Sequence, residues 1–215
     1  MPRRIEVFAD ITCPFTHVGL KRVVALLDEL GAEVELVVRA WPLEWVNGEM
    51  FTADAIAMKI GVLRDQLGVE DFVGFDPDRW PATSIPALNL CAAAYRQGQA
   101  EGLAVALAVR AALFDDGADV SDPGVLAEIA DAHGLEAPRS EPDPDVSADY
   151  EEGQRRGVRG SPDFWIGENE FFCPALELTH DETGALVAHF DPEGLDAFVA
   201  AAVGQGAGGS SSAMS

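Results

Sequence analysis

The stretch IEVFADITCPFTHVGLKRVVALLDELGAEVELVVRA, residues 5–40, decides how this chain folds. It opens with a short apolar segment at 5–9 that predicts a buried strand. Apolar residues then recur at helical spacing from Pro14 to about Leu30, and a second apolar segment at 34–39 predicts another strand. Because a connection of this length allows a parallel crossover, we expect the two strands to lie side by side with the helix on one face.

A helical block follows this unit, and the chain then returns to strands. Helical periodicity recurs in five segments, at 53–66, 85–97, 100–114, 123–133 and 145–156. Beyond them, the segments 163–166 and 170–172 flank a Gly-containing hairpin signal. A last amphipathic helix is expected over 195–203, with its start signal at Asp191-Pro192.

This order predicts an α/β fold made of two sequence regions. A discontinuous sheet domain would comprise residues 1–50 and 158–203, and an all-helical insertion would occupy 51–157. Residues 204–215 are rich in Gly and Ser, which predicts a disordered tail.

The charge balance excludes several classes of partner. The chain of 215 residues has 14 Lys and Arg against 37 Asp and Glu, for a formal net charge of -23. This excess gives nucleic acid or an anionic membrane surface no electrostatic attraction, and no apolar run approaches the roughly 18 residues that span a bilayer. The start of the chain shows no apolar export signal. We therefore expect a cytoplasmic protein that binds neither nucleic acid nor membranes.

Cys13 stands where the first strand gives way to the long helix, in the sequence Cys13-Pro14-Phe15-Thr16. A thiol at a helix N-terminus faces unpaired backbone N–H groups and the positive end of the helix dipole, and both favour the thiolate. Pro14 fixes the backbone of the first helical turn. Thr16 can donate its hydroxyl hydrogen to the sulfur. The pattern predicts a reactive, accessible cysteine rather than the small buried hydrophobe that most free cysteines are.

Two further signals concern the chemistry of the chain. Ser161-Pro162 immediately precedes the third predicted strand, a position where cis-prolines occur. The cysteines number three, which does not fit a secreted disulfide framework, and Cys91 lies in an apolar helical stripe typical of a core. The histidines show no ligand spacing, so no metal site is predicted.

Together these motifs resemble the DsbA-like thioredoxin superfamily, which includes cytosolic DsbA-type oxidoreductases, 2-hydroxychromene-2-carboxylate isomerases and kappa-class glutathione transferases. The resemblance extends from about residue 5 to 203 and is carried by residues 10–16, 157–164 and 171–172. It implies a thioredoxin fold, a four-stranded mixed sheet with an inserted helical domain. It also implies that Cys13 is the active-site thiol and that Pro162 is the cis-proline facing it.

The chain departs from the DsbA pattern at one position. Thr16 occupies the place of the second cysteine of Cys-Pro-x-Cys, so an internal dithiol cycle cannot close at this motif. The leading interpretation is a DsbA-type thiol-disulfide oxidoreductase with a single-cysteine mechanism, in which a low-molecular-weight thiol resolves the intermediate and no cofactor is tightly bound. Its substrate would be a small-molecule thiol or a protein disulfide. The groove for it would be lined by Pro14, Phe15, Ser161, Pro162 and Cys173.

Cys173 ends the predicted hairpin on the same side as Cys13. In the thioredoxin strand order the two lie two strand spacings apart, about 10 Å, beyond the roughly 7 Å limit for a disulfide, so direct bridging would need motion. Pro174 and Ala175 lack the polar groups with which kappa-class relatives hold the glutamyl end of glutathione. The chain has only two lysines against twelve arginines, which indicates a GC-rich genome, and actinobacterial relatives use mycothiol. Mycothiol is therefore a hypothesis beside glutathione.

Two alternative functions and one question of assembly stay open from the sequence. The first is a thiol-dependent isomerase or kappa-class-like transferase, in which a bound thiol is the reagent and Cys13 or Thr16 only orients it. The second is a non-catalytic, thiol-dependent binding module. The sequence also leaves a homodimer open.

Overall fold

A four-stranded mixed sheet forms the centre of the computed structural model, which describes residues 3–204. Its spatial order is β2-β1-β3-β4, with bounds Arg3–Ala9 for β1, Val34–Ala40 for β2, Asp163–Ile166 for β3 and Asn169–Phe172 for β4. β1 pairs in parallel with β2 and antiparallel with β3, and β4 completes the hairpin. The predicted thioredoxin-type sheet, with its parallel crossover and its hairpin, is confirmed.

Eight α-helices surround the sheet within the described range. They are α1 Pro14–Glu29, α2 Leu43–Asn47, α3 Ala53–Leu67, α4 Ile85–Gln97, α5 Gln99–Phe114, α6 Pro123–Ala132, α7 Pro144–Arg156 and α8 Pro192–Val203. Helices α3 to α7 follow one another between β2 and β3, as the helical periodicity predicts. The five-residue α2 was not predicted. None of the described helices combines the length and the apolar character needed to cross a bilayer.

A small second sheet was missed by the sequence analysis. It consists of β5, Leu176–His180, and β6, Leu186–Phe190, paired antiparallel. Tertiary contacts support it: Gln66 accepts a hydrogen bond from the N–H of Ala188 at 2.8 Å, and the Arg22 guanidinium lies 3.8 Å from the centre of the Phe190 ring. The strand sequences, LELTH and LVAHF, do carry an apolar signal, with alternation at the start of β5 and four apolar residues in β6, and the sequence analysis did not use it.

The C-terminal helix begins at Pro192, as the Asp191-Pro192 start signal predicts. Asp191 caps it by accepting a hydrogen bond from the N–H of Gly194 at 2.8 Å, and Pro192 occupies the first turn. From residue 205 onward, the predicted tail lies outside the described residues.

The two faces of β1 are buried against different partners. Ile5 and Val7 join the main apolar cluster with α1, α8 and the inserted helices, whereas Phe8 packs with Trp41 and Trp165 on the opposite face. Because β3 runs antiparallel to β1, its first residues lie beside the last residues of β1. The segment that leads into β3 therefore meets the segment that leads from β1 into α1, and this meeting point positions the candidate site.

Candidate active site

The loop between β1 and α1 presents Cys13 at the start of the helix. Cys13 is the N-cap residue of α1, in an extended conformation, and Pro14 follows in the first turn. The N–H of His17 donates to the Cys13 carbonyl at 3.2 Å, which begins the helical ladder. The sulfur therefore lies at the end of the helix where unpaired backbone N–H groups collect.

A buried carboxylate, that of Asp10, holds this loop in place. It accepts hydrogen bonds from the N–H and the hydroxyl of Thr12, both at 2.6 Å. It also accepts from the N–H of Leu43 at 2.7 Å and the hydroxyl of Ser84 at 3.1 Å. Burial raises the pKa of Asp10, and these donated hydrogen bonds oppose that rise. One side chain thus ties the Cys13 loop to the first residues of α2 and α4.

The segment before β3 faces this loop. The Ser161–Pro162 peptide bond is cis, and the Cys13 thiol donates a hydrogen bond to the Ser161 carbonyl at 3.0 Å. The Ser161 hydroxyl accepts from the N–H of Asp10 at 3.0 Å and lies 2.8 Å from the Thr16 hydroxyl. The structure thus brings Cys13, Thr16, Ser161 and Pro162 together across almost 150 residues of sequence.

The role predicted for Thr16 is not what the structure shows. In the described residues, the hydrogen-bond partner of its hydroxyl is the Ser161 hydroxyl, and the sulfur is bonded to the Ser161 carbonyl instead. The side chain of Thr16 is fully buried, and its hydroxyl lies 2.8 Å from that of Ser161. Thr16 therefore positions Ser161, and the predicted bond from Thr16 to the sulfur is absent.

The sulfur is also more enclosed than the sequence predicts. Only 4% of the surface of Cys13 is exposed, because the Ser161–Pro162 segment covers it. Cys13 nevertheless stands apart from the apolar core clusters, and the atom that its sulfur contacts is a carbonyl oxygen. Cys13 thus occupies a covered position beyond the carboxyl end of the central strand β1.

Two phenylalanines border this position. Phe15 is half-buried, and its ring centre lies 5.9 Å from the Lys59 ammonium, which also lies 4.1 Å from the centre of the Phe51 ring. Phe172 is 40% exposed and lies beside the Ser161–Pro162 segment. A Cβ atom at position 160 would lie 3.2 Å from its ring, so glycine there lets Phe172 pack closely. Both rings therefore leave part of their apolar surface exposed.

Cys173 lies on the other side of the cis-proline. Its N–H donates to the Pro162 carbonyl at 3.1 Å, and its φ of 48° is in the left-handed region. The side chain is buried. Burial raises the pKa of the Cys173 thiol, and the neighbouring acidic groups, Asp163 and Asp191 among them, add to the effect. The thiol therefore stays protonated over the ordinary pH range.

Asp163 follows the cis-proline and is fully buried. Its Oδ2 accepts a hydrogen bond from the N–H of Arg159 at 3.0 Å, while its Oδ1 has no partner in the described part of the chain. Burial, with the charge of Glu170 as a smaller cause, raises the pKa of this carboxyl to about 6. A titrating acid thus stands next to the site, and the sequence analysis did not single it out.

A cluster of one histidine, two aspartates and one lysine lies one helical turn beyond Cys13. His17 Nε2 is 3.1 Å from Asp115 Oδ1 and 3.6 Å from Asp71 Oδ1, and Lys21 pairs with both carboxylates. Burial lowers the pKa of His17, and Asp115 opposes this. The sequence analysis did not find this cluster, because Asp71 and Asp115 lie 54 and 98 residues from His17 along the chain. The Lys21 ammonium stands where a cation would bind, so the cluster is an ion-pair network that joins α1 to the helical block.

The third cysteine, Cys91, is a residue of the apolar core. Cys91 is buried in the main core cluster, as predicted, and burial raises its pKa to about 11.

Arg110, on α5, is fully buried and donates to the Asp10 carbonyl at 3.2 Å. A single arginine in the apolar run ALAVRAALF was a usable signal for this residue, and the sequence analysis missed it.

Comparison with known proteins agrees with this geometry. The family model of the DSBA-like thioredoxin domain matches residues 4–180. The comparison with curated protein sequences found no match.

Three solved structures show the same fold at low sequence identity. A protein from Nitrosomonas europaea that has been proposed to be a protein disulfide isomerase is 14% identical, with a TM-score of 0.64 over 96% of this chain and 100% of that one. SCO1869 from Streptomyces coelicolor, proposed to be a DsbA oxidoreductase, is 24% identical, with a TM-score of 0.53 over 75% of this chain and 79% of that one. The cytosolic disulfide reductase DsbM from Pseudomonas aeruginosa, with glutathione (GSH), is 15% identical, with a TM-score of 0.53 over 78% of this chain and 87% of that one. At these identities the similarity establishes the fold alone.

Proposed function

The chain belongs to the DSBA-like thioredoxin domain family, and from that premise we propose that it is a thiol-disulfide oxidoreductase that works through a single cysteine with a low-molecular-weight thiol. One observation carries the proposal. The Cys13 sulfur lies at the N-terminus of α1, 3.0 Å from the carbonyl that precedes the cis-proline, and threonine stands where a second cysteine would be. We also propose that the protein is located in the cytoplasm.

The exchange proceeds in two balanced steps. The Cys13 thiolate attacks one sulfur of a disulfide RS–SR′, so that a Cys13–SR bond forms, the S–S bond breaks, and R′S⁻ leaves and takes up a proton. A small thiolate R″S⁻ then attacks the SR sulfur, which releases RS–SR″ and regenerates Cys13. The Cys13 sulfur carries negative charge before the first step, as the attacking thiolate, and regains it in the second, as the leaving group; in both states the charge lies at the positive end of the α1 dipole.

The surroundings of Cys173 support an external resolving thiol. Exchange requires a thiolate, and burial together with nearby negative charge raises the pKa of Cys173. A protonated, buried thiol is a poor nucleophile. Cys173 thus contributes to the wall of the site through its backbone bond to Pro162, and the second thiol arrives from solution.

The enclosure of Cys13 supports a small partner over a folded one. With 4% of its surface exposed, Cys13 admits a slender thiol or an extended peptide more readily than a disulfide on a folded surface. The DsbM structure, which has the same fold, contains glutathione.

The charge beside the site makes the identity of the thiol testable. In the described residues, no carboxylate lies within ion-pair distance of Lys59, whose ammonium is close to Phe15. A free cation there favours a thiol that carries carboxylates, as glutathione does. Pro174 and Ala175 offer no polar side chain to such a thiol, and this favours mycothiol. The two observations oppose each other, so the exchange assay compares both thiols.

The experiment incubates the reduced protein with oxidised glutathione or oxidised mycothiol and follows adducts by mass spectrometry. We expect one adduct, on Cys13, that is removed when the matching reduced thiol is added. Cys91→Ala is the matched control, since Cys91 is a buried core thiol. A stable adduct together with transfer of the thiol to an electrophile would favour the transferase or isomerase alternative. No adduct with either thiol would favour the binding module and contradict the proposal.

A further inference from the structure

One short stretch of chain, residues 159–162, covers Cys13, and we call it the cover segment. The Cys13 thiol donates to the Ser161 carbonyl at 3.0 Å, and only 4% of the Cys13 surface is exposed. Attack on the sulfur therefore requires at least a local movement of this segment. The stability of the cover segment thus sets how accessible Cys13 is.

The cover segment encloses the carboxyl of the residue that follows it, Asp163. The Arg159 N–H, at the start of the segment, donates to Asp163 Oδ2 at 3.0 Å, so the chain turns around this side chain. The Phe172 ring packs against the middle of the segment, where a Cβ atom on Gly160 would lie 3.2 Å from it. Asp163 is fully buried, and its Oδ1 atom accepts no hydrogen bond from any described residue. The segment that covers the thiol therefore also keeps water from this carboxyl.

The groups around Asp163 favour its protonated form. Glu170, on β4, lies on the same face of the hairpin, and its negative charge opposes a second charge on Asp163. The Arg159 charge acts in the other direction, but this guanidinium is already paired with Glu170. The neighbouring Cys173 thiol stays protonated, and Phe8, the residue opposite Asp163 on β1, is uncharged. Burial, with the Glu170 charge as a smaller cause, raises the pKa of Asp163 to about 6, against an ordinary value of 3.8.

The other charged side chains on this face are paired with one another. Glu6 lies on β1 and forms ion pairs with Arg39, on β2, and with Arg156, on α7. Asp163 itself forms no ion pair in the part of the chain that the structure describes. A charge on this buried carboxyl therefore lacks both water and a counterion, which makes it costly.

Opening of the cover segment and ionisation of Asp163 are thermodynamically linked. A carboxyl that becomes hydrated when the segment opens regains its ordinary pKa, so release of its proton favours the open state. The bound proton stabilises the closed state at low pH, and this contribution is lost as the pH rises through 6. With pKa values of about 6 and 3.8, the open fraction should increase about tenfold between pH 5 and pH 8.

We propose that the Asp163 carboxyl and the cover segment form a pH-dependent closure over the active-site thiol, which stays shut while the carboxyl holds its proton and opens more often once the carboxylate forms. The inference rests on the proposed function in one respect, because it makes the closure a regulator of exchange at Cys13. Exchange is then slowed in acid for a reason separate from the ionisation of the attacking thiol.

Amide hydrogen exchange of the unmodified protein, measured by NMR between pH 5 and pH 8, tests the closure. After correction for the intrinsic pH dependence of exchange, amides that hold the segment should lose about tenfold in protection. The Ala188 amide, which donates to Gln66, is the internal control and should keep its protection. Three amides report the opening, because each donates to the segment or to the carboxyl that it encloses: those of Asp10, Arg159 and Cys173.

A matched pair of variants assigns the effect to one carboxyl. Asp163→Asn removes the titrating group and keeps an oxygen for the Arg159 N–H, so the protection of the three amides should be the same at pH 5 and pH 8. Asp28→Asn changes an exposed acid on α1 in the same way and should keep the wild-type pH dependence.

Alkylation of Cys13, assigned by peptide mass spectrometry, separates closure from a direct effect of charge. Comparing the wild type with Asp163→Asn at the same pH removes the contribution of thiol ionisation that both proteins share. The ratio of the wild-type rate to the variant rate should rise about tenfold from pH 5 to pH 8. If the Asp163 charge acted only on the sulfur, this ratio would fall instead, because a negative neighbour disfavours the thiolate.

The proposal is overturned if the protection of the three amides does not change between pH 5 and pH 8, if Asp163→Asn keeps the wild-type pH dependence, or if the alkylation ratio does not rise. These measurements use neither a disulfide substrate nor a small thiol. The closure can therefore fail while the oxidoreductase proposal stands, and the oxidoreductase proposal can fail while the closure stands.

Discussion

Two buried thiols flank the cis-proline, and their surroundings differ in one decisive respect. Cys13 begins a helix and donates to the Ser161 carbonyl, whereas Cys173 follows a strand and donates its N–H to the Pro162 carbonyl. The first thiol lies at the positive end of a helix dipole. The second lies near Asp163 and Asp191, and burial with these charges raises its pKa. The comparison teaches that placement in the fold gives two thiols of the same residue type different electrostatic surroundings.

The largest expected effect separates the two cysteines directly. Cys13→Ser should reduce the rate of exchange with a small disulfide by at least about 1,000-fold, equivalent to about 4 kcal/mol, because it removes the nucleophile. Cys173→Ser should retain the rate within about threefold, since its thiol takes no part in the chemistry. Initial rates of exchange with oxidised glutathione, at equal protein concentration, measure both.

The two variants also control for each other. If Cys173→Ser lost as much activity as Cys13→Ser, Cys173 would be the resolving thiol and the single-cysteine mechanism would be wrong. Cys91→Ala, a buried thiol away from the site, should keep the wild-type rate and so exclude a general effect of losing a cysteine.

The second prediction concerns the side chain that holds the Cys13 loop. Asp10→Ala should lower the free energy of unfolding by about 3 to 4 kcal/mol, because four donated hydrogen bonds lose their acceptor in a buried position. Denaturation by urea measures the change. Asp28→Ala, an exposed acid on α1, is the control and should stay within about 0.5 kcal/mol of the wild type. A loss for Asp10→Ala no larger than that of the control would show that the loop is held by other contacts.

The parts of this site that sequence could predict are those set by local pattern. Apolar periodicity placed β1, α1 and the hairpin, and the Cys13-Pro14 sequence after a strand placed Cys13 at the start of α1. The resemblance then paired Cys13 with the Ser161–Pro162 segment. These features depend on short stretches of chain, whose chemistry is visible without knowledge of the packing.

The parts that escaped prediction depend on contacts between distant residues. Asp10 bonds to Ser84 across 74 residues, and Arg110 reaches the Asp10 carbonyl across 100. The partner of Thr16 is likewise a side chain 145 residues away. Which of several polar atoms a buried hydroxyl reaches is decided by packing, and no spacing rule in the sequence encodes it.

The third prediction removes the carboxyl that adjoins Cys173. The pKa of Asp163 is about 6 in the folded chain, against an ordinary value of 3.8. The folded state therefore binds this proton more readily than the unfolded state, so the contribution to stability is present at low pH and is lost as pH rises through 6. At about 1.4 kcal/mol per pKa unit, the difference between the folded and the ordinary pKa corresponds to roughly 2 to 3 kcal/mol of unfolding free energy.

Asp163→Asn tests that linkage. The variant should be more stable than the wild type at pH 8 by roughly 2 kcal/mol, and the two should converge as the pH approaches 4. The Asn oxygen can still accept from the N–H of Arg159. Urea denaturation at pH 8, 6 and 4.5 measures the difference. Equal stability of both proteins at every pH would mean that the Asp163 carboxyl titrates with its ordinary pKa, and it would contradict the prediction.

The smallest expected effect distinguishes two roles for Thr16 beside the active thiol. Thr16→Val and Ser161→Ala each break the hydrogen bond between the two hydroxyls, which lie 2.8 Å apart, so each should lower the free energy of unfolding by about 1 kcal/mol. Each should slow exchange by about threefold. Ser161→Ala also removes the acceptor for the Asp10 N–H, so its effect should be the larger of the two. If Thr16 instead donated to the sulfur during turnover, Thr16→Val would slow exchange well beyond Ser161→Ala. Exchange rates measured beside unfolding free energies for both variants decide between the two roles, because only a bond to the sulfur lowers the rate without a matching loss of stability.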